Sequence, residues 1–450
     1  MIRALWFMAK VAVVIAIAIW LAERPGTLTI EWEGFVVNTS VAMAVLVTVV
    51  ALGAAAILYR LYRAIRYAPS TLAGYSRSRR REKGYRALTQ GLVAVAAGDP
   101  QTARRMARKA DELLHEPPLT MLLSAQAAQL TGDERGAREY FTAMLDQPET
   151  AFLGVRGLLM MAIKNGDKVD ALNLARRAQQ LQPTTPWVLT TLYDLEARAG
   201  EWAAAERTLQ AAVRAGAIPA EEARQHRAAL LLERSFDAER RGRADSSLYH
   251  AQTAFELAPA FAPAAARYAR QLHLAGKTRK ATRVVEKAWK LQPHPELADA
   301  YRQLLERYDA VTRLKTFENL TRLSQGNVEG HVAMARAALD AQTWSEARAH
   351  LTRALELQPS PRIYRLLAEL ERAEHSNEDA ASAWLAKAAD APADPAWTCR
   401  PCGAVSHDWT GLCGHCGAFD TLEWKTPQVA VHTVPDGAVA LPVPVEAART

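Results

Sequence analysis

Two long apolar stretches open the chain. From Ala4 to Ala22 the only charge is Lys10, and from Phe35 to Tyr59 there is none. At about 1.5 Å per residue, either stretch crosses roughly 30 Å of hydrocarbon as a helix, whose backbone groups are satisfied internally. The pattern predicts two spans, about 4–22 and 35–59, forming a transmembrane hairpin within residues 1–66. Lys10 lies near enough to the start of the first span to carry its charge back to water, and Trp6, Trp20 and Trp32 suit the interfaces.

Past residue 84 the pattern becomes periodic. Gly98, Gly132, Gly166 and Gly200 are 34 residues apart, and each is followed by an acid (Asp99, Asp133, Asp167, Glu201). Five residues after each glycine stands Ala103, Ala137, Ala171 or Ala205. The series resumes after an eight-residue excess with Gly242 and Gly276, then continues through units whose turns fall near Tyr308, Gln342 and Ser376. A second small-residue column runs through Ala110, Ala178, Ala212, Ala254, Ala288, Ala354 and Ala388, and Pro183, Pro259, Pro293 and Pro359 follow several of these. Such a period predicts a helix, a tight turn, a second helix and a break, stacked with its neighbours because no pair buries its apolar face alone. Glycine suits the turn because it accepts positive φ. The expected architecture is all-α: two transmembrane helices, a helical-repeat α-solenoid over 84–391, and a small four-cysteine zinc knuckle at 396–424.

Charge refines this picture. Half of the chain is apolar and the net charge is +7, but residues 60–86 alone carry +8. The basic pI therefore reflects one short segment, and a nucleic-acid-coating surface is not indicated. Its core, the juxtamembrane segment 67–83, directly follows the second span and suits contact with anionic lipid. Glu23 to Gly34, between the spans, holds three acids and one Arg, so the Lys/Arg asymmetry places everything after Tyr59 in the cytoplasm. A cleaved signal peptide over 1–22 is the alternative. Trp20 and the absence of an Ala-x-Ala site disfavour it, and cleavage would not change the final orientation.

All four cysteines fall in one motif, Cys399-x2-Cys402-x10-Cys413-x2-Cys416, and each pair is followed by glycine, Gly403 and Gly417. Two such knuckles direct four thiolates at one ion, and a reducing cytoplasm argues against two disulfides. A structural zinc is expected, with iron as the alternative because four thiolates also suit it. His407 and His415 are read as loop residues, since four ligands suffice. The ribbon is expected to cap the last repeat or to offer a docking face. The Pro/Ala/Val-rich tail, 427–450, is expected to be disordered.

No catalytic constellation emerges. Gly276-Lys277-Thr278 imitates the end of a phosphate-binding loop, but Gln271 stands where the first glycine is required and the segment falls on a repeat turn. His115, His226, His250 and His273 are isolated on helices. An enzyme is disfavoured.

These motifs carry three resemblances. The 34-residue period resembles the tetratricopeptide repeat (TPR) family over residues 84–391, which implies protein binding on the concave face lined by each first helix. The Lys/Asn carboxylate clamp of one subclass is absent, its places being held by Leu88, Leu92, Leu122, Gln126, Arg156 and Met160. Trp397-Thr-Cys399 through Leu422-Glu-Trp424 is similar to the zinc knuckle of the RadA repair ATPases and to the rubredoxin-type knuckle of the LapB family. Pro25-Gly26-Thr27, Ile30-Glu31-Trp32, the Arg-rich segment and Gly91-Leu92-Val93-Ala94 resemble the HemY family of inner-membrane TPR proteins. That resemblance implies a scaffold at the bacterial inner membrane, with its soluble part in the cytoplasm, recruiting partners such as late haem-synthesis enzymes. No nucleic acid and no small-molecule ligand is expected. The alternatives are a LapB-like regulator of lipopolysaccharide assembly and a haem or porphyrin carrier.

Overall fold

The computed structural model describes residues 2–23, 26–114, 117–324 and 326–427. His115 and the tail after 427 lie outside them. The chain divides into two compact units, Met1–Tyr140 and Phe141–Thr450.

In the first unit, helix α1 (Ile2–Ala22) precedes a β-hairpin of β1 (Thr27–Trp32) and β2 (Phe35–Ser40). The strands pair antiparallel from Thr27↔Ser40 to Trp32↔Phe35. Glu33 and Gly34 close the two-residue turn with φ of 46° and 86°, the left-handed geometry that matches the twist of tight hairpins. This corrects the expected second span and adds strands to an expected all-α region. Residues 35–40 pair across a hairpin, and helix α2 (Val41–Ala96) begins only where the Ser40 hydroxyl accepts the Met43 N–H at 3.3 Å. Among the described residues one segment is long and apolar enough to cross a membrane, Val41–Arg63. Its Val47, Val50, Leu52 and Ile57 side chains are exposed. Helix α1 holds a shorter apolar run, Met8–Ile17.

Helix α2 runs 56 residues without a break, so its last turns are already the first repeat helix. These pack on α3 (Pro100–Leu114) and α4 (Pro117–Leu130). At the turn, Gly98 takes φ 70° while the Asp99 N–H donates to Ala94 O at 2.9 Å. The Asp99 carboxylate then accepts the N–H groups of Gln101 and Thr102, and its hydrogen bonds to Thr102 hold its pKa below the usual range. Helix α5 (Glu134–Ala143) begins after the same turn at Gly132.

The second unit repeats the scheme in seven pairs among the described residues. They are α6 (Pro148–Lys164) with α7 (Lys168–Leu181), α8 (Pro186–Arg198) with α9 (Trp202–Arg214), and α10 (Ala220–Arg240) with α11 (Ala244–Leu257). There follow α12 (Ala262–Leu274) with α13 (Thr278–Leu291), and α14 (Pro295–Leu304) with α15 (Ala310–Leu323). The last are α16 (Val328–Asp340) with α17 (Trp344–Leu357), and α18 (Pro361–His375) with α19 (Glu378–Asp390). The alanine columns are the contact points between helices: Ala205, Ala212, Ala281, Ala347, Ala354 and Ala381 are fully buried. A larger side chain there would force the helices apart, at a cost of about 1–3 kcal/mol. Where the turn glycine is missing, Gln342 and Ser376 adopt the left-handed conformation themselves, with φ of 55° and 51°. Gly276-Lys277-Thr278 is one of the glycine turns, with φ 74° at Gly276 and α13 beginning at Thr278.

The eight-residue excess sits in one place. Helix α10 has 21 residues, whereas α8 and α12 have 13. In its pair, Ser247 replaces the column alanine and bonds Ser235 at 3.0 Å. Buried Arg267 adds bonds to both serines and to Glu239.

Candidate metal centre and its seat

After α19 the chain forms a three-stranded ribbon, order β4-β3-β5, from β3 (Ala396–Cys399), β4 (Val405–Ser406) and β5 (Leu422–Lys425). The two cysteine knuckles close alike. The Gly403 N–H donates to Cys399 O and the Gly417 N–H to Cys413 O, both at 2.9 Å, and the amides of Cys399 and Cys413 donate to Ala404 and Ala418 at the same distance. Both knuckle glycines need positive φ, 69° and 68°.

This duplicated turn sets the thiols face to face. Cys399 and Cys416 Sγ are 3.7 Å apart, Cys402 and Cys413 Sγ likewise, and all four sulfur atoms lie within 4.8 Å of one another. A tetrahedral zinc with about 2.3 Å bonds to sulfur places its ligands roughly 3.8 Å apart, so the donor set fits. All four cysteines are free of disulfides. Burial opposes ionisation of Cys413, but the amides of Cys416 and His415 and the neighbouring thiols outweigh it and bring it down to about 7. Burial pushes Cys402 up to about 12. Clustered thiols thus resist carrying several charges without a cation between them. Neither His407 nor His415 joins the cluster.

The seat of the ribbon differs from the expected cap on the last repeat. The chain turns back after α19: Asp394 accepts the Arg362 N–H at 3.0 Å, and Arg362 is itself held by Glu329. The ribbon then packs on earlier first helices. Phe419 lies against Tyr193 of α8 and Trp202 at the start of α9, with ring centroids 6.3 and 5.8 Å apart. The buried Asp420 carboxylate meets His226 Nδ1 at 2.8 Å. The Gly411 N–H donates to Glu233 at 2.7 Å, and a Cβ at Gly411 would stand 2.7 Å from that side chain. Trp397 Nε1 donates to Glu296 at 3.1 Å. Trp424 packs on His294 with centroids 4.4 Å apart, and Trp409 on Phe261 at 5.1 Å. Of α19, by contrast, only Ala381 is buried.

Electrostatics at the seat follow from this burial. It raises the carboxyls of Glu233 and Glu296. It lowers His294 to about 4, aided by the charge of Arg362. Burial also opposes charge on His226, but the hydrogen bond and charge of Asp420, then those of Glu222, prevail and raise it.

Sequence reasoning found the four cysteines and missed their seat. His226 looked isolated, and Glu233, His294, Glu296, Gly411 and Asp420 carried no motif. The available signal was the eight-residue excess, because His226 lies in the two extra turns at the start of α10. Elsewhere, Leu92 and Met160 of the clamp-equivalent positions are exposed, and the Arg156 guanidinium lies 5.2 Å from the Trp187 ring.

Comparison with known proteins agrees with both ends of the chain. Residues 26–132 match the HemY protein N-terminus, and residues 397–423 match a rubredoxin metal binding domain of LapB type. The probable magnetosome protein Mms48 of Magnetospirillum gryphiswaldense is 28% identical over 424 residues, 91% of this chain and 90% of its own length. Protein HemY of Escherichia coli is 23% identical over 184 residues, 40% of this chain and 46% of that protein. Among solved structures, MamA aligns at 12% identity over 35% of this chain and 92% of its own, with a TM-score of 0.24. A tetratricopeptide repeat protein from Parabacteroides merdae aligns at 16% identity over 53% and 93%, with a TM-score of 0.29. The chain joins a HemY-type N-terminus to a LapB-type rubredoxin ribbon whose four clustered cysteines suit a structural zinc.

Proposed function

We propose that this chain is a non-enzymatic, membrane-anchored scaffold that recruits partner proteins on the first helices of its repeat array. The observation that carries this reading is α2, in which an apolar segment, Val41–Arg63, passes into the first repeat helix within one continuous element. Tethering of this kind raises the effective concentration of partners at the membrane without new contacts. Cys399, Cys402, Cys413 and Cys416 are the zinc ligands in this reading, and zinc folds the ribbon. The array spans 84–391, and the basic segment 67–83 faces anionic lipid in the cytoplasm. Helix α1 provides a second span at the bacterial inner membrane.

A surface for partners remains beyond the ribbon. A cavity of about 120 Å³ is lined by Ala298, Phe317, Val332 and Ala333, with Arg302 and Arg336 among its charged groups. Late haem-synthesis enzymes are the first partner class, supported by the HemY-type N-terminus. The second reading is a LapB-like envelope regulator, favoured by the ribbon. Crosslinking in native membranes followed by mass spectrometry separates them. Enrichment of ferrochelatase and its neighbours supports the first reading, enrichment of lipid A enzymes or membrane proteases supports the second, and recovery of no partner protein refutes the scaffold.

A further inference from the structure

The ribbon does not sit on an idle surface. It sits on the first helices α8, α10 and α14, with Trp202 of α9 and Phe261 ahead of α12 also beneath it, and its polar bonds join residues 101 to 194 positions apart in sequence. Its hold on them is of two kinds. The rings Phe419, Trp409, Trp397 and Trp424 fill the apolar part, and three polar bonds, Asp420 to His226, Gly411 to Glu233 and Trp397 to Glu296, fix its register. The fit also carries a penalty. Tyr193 Oη and Trp409 Nε1 are buried there without a hydrogen-bond partner, and the Glu233 and Glu296 carboxyls are desolvated. Buried groups of this kind make docking less favourable than its area implies.

The ribbon itself has three strands of two to four residues. That is too little to fold without a metal. Its docking residues are set by the same loops that carry the thiols: Gly411 lies two residues before Cys413, and Phe419 and Asp420 follow closely after Cys416 on the second knuckle. The thiols and the docking residues therefore share one small fold.

We propose that the ribbon is a metal-dependent plug of the chain's own partner groove. Zinc folds the ribbon, the folded ribbon covers the stretch of α8, α10 and α14 that it seats on together with Trp202 and Phe261, and loss of the metal opens that stretch. This rests on reading the first helices as the partner face, but its test needs no partner, so either can fail alone.

The full chain in detergent is footprinted with hydroxyl radicals, zinc-loaded and after treatment with a chelator. Labelling of Tyr193, Trp202 and Phe261 rises several-fold on zinc removal and falls again when zinc is restored, while Trp289 and Tyr301, buried in the repeat core, stay protected. Continued protection of Tyr193 and Phe261 without zinc overturns the proposal. So does equal exposure of Trp289, because the metal would then be holding the whole array rather than the plug. The double variant His226→Ala with Glu233→Ala separates seat from metal. It should keep one zinc per chain and yet expose Tyr193 and Phe261; loss of the zinc, or unchanged protection, refutes the order of events.

Discussion

Between Ala171 and Ala381 the helix pairs of the second unit are held by many small apolar contacts, spread over columns in which alanine alternates with larger side chains. Between Trp397 and Trp424 the ribbon is held by four thiols, by a few large rings set against the array, and by three polar bonds to distant helices. The first kind of cohesion is distributed, so a unit can lose its turn glycine, as at Gln342 and Ser376, and still fold. The second is concentrated, and removal of one group removes much of the whole.

Four measurements sharpen this contrast, from the largest effect to the smallest. Cys399→Ser with Cys413→Ser should abolish zinc binding, seen as loss of metal in elemental analysis. Structural zinc contributes roughly 10–16 kcal/mol in finger-sized domains, so the ribbon should unfold while far-ultraviolet circular dichroism keeps nearly all of its helical signal. A collapse of helicity would erase the distinction between the regions. In the array, Ala281→Leu places a larger side chain at a fully buried contact, and should lower unfolding free energy by about 1–3 kcal/mol in denaturant melts with zinc still bound. An unchanged midpoint would show the column to be looser than its burial implies.

Acidity bears directly on the seat of the ribbon. His226 faces Asp420 and Glu222, and its pKa is raised above the 6.5 of a free imidazole. A raised basic group contributes stability fully present below about 6.5, which is lost as pH climbs through the raised value. Glu233 and Glu296, also raised, push the same way, because their ionisation above the usual 4.5 is disfavoured when the ribbon is docked. Tryptophan fluorescence should therefore report tighter docking at about pH 6 than at about pH 8, and the opposite trend would show that Asp420 does not hold a protonated His226. The smallest effect is at a turn: Asp167→Ala removes the carboxylate that accepts the Asp170 N–H at 3.0 Å, and should cost about 1 kcal/mol in the same denaturant melts. A null result there would show that glycine geometry alone suffices for the turns.

The array was legible because its cause is periodic. Gly98 to Gly276 and the alanine columns repeat a steric requirement often enough to be read from one chain. The thiol cluster was legible because its ligands are adjacent in sequence. The hairpin at 27–40 was hidden by composition, since Phe35, Val36 and Val37 read as the start of an apolar span although Glu33-Gly34 already marked a two-residue turn. The seat of the ribbon was hidden for a different reason. Its bonds join Glu233 to Gly411 and His226 to Asp420 across nearly two hundred residues, and pairings of that range leave no local pattern. The one trace was arithmetic, the two surplus turns of α10.

The unbroken course of α2 has a further consequence. Since it passes from the apolar segment into the first repeat with no hinge, any length change between Arg66 and Arg77 becomes a rotation. One inserted residue would swivel the first helix pair by about 100° and raise it by about 1.5 Å, so the rod acts as a crankshaft that dictates which way the first pair looks from the apolar segment.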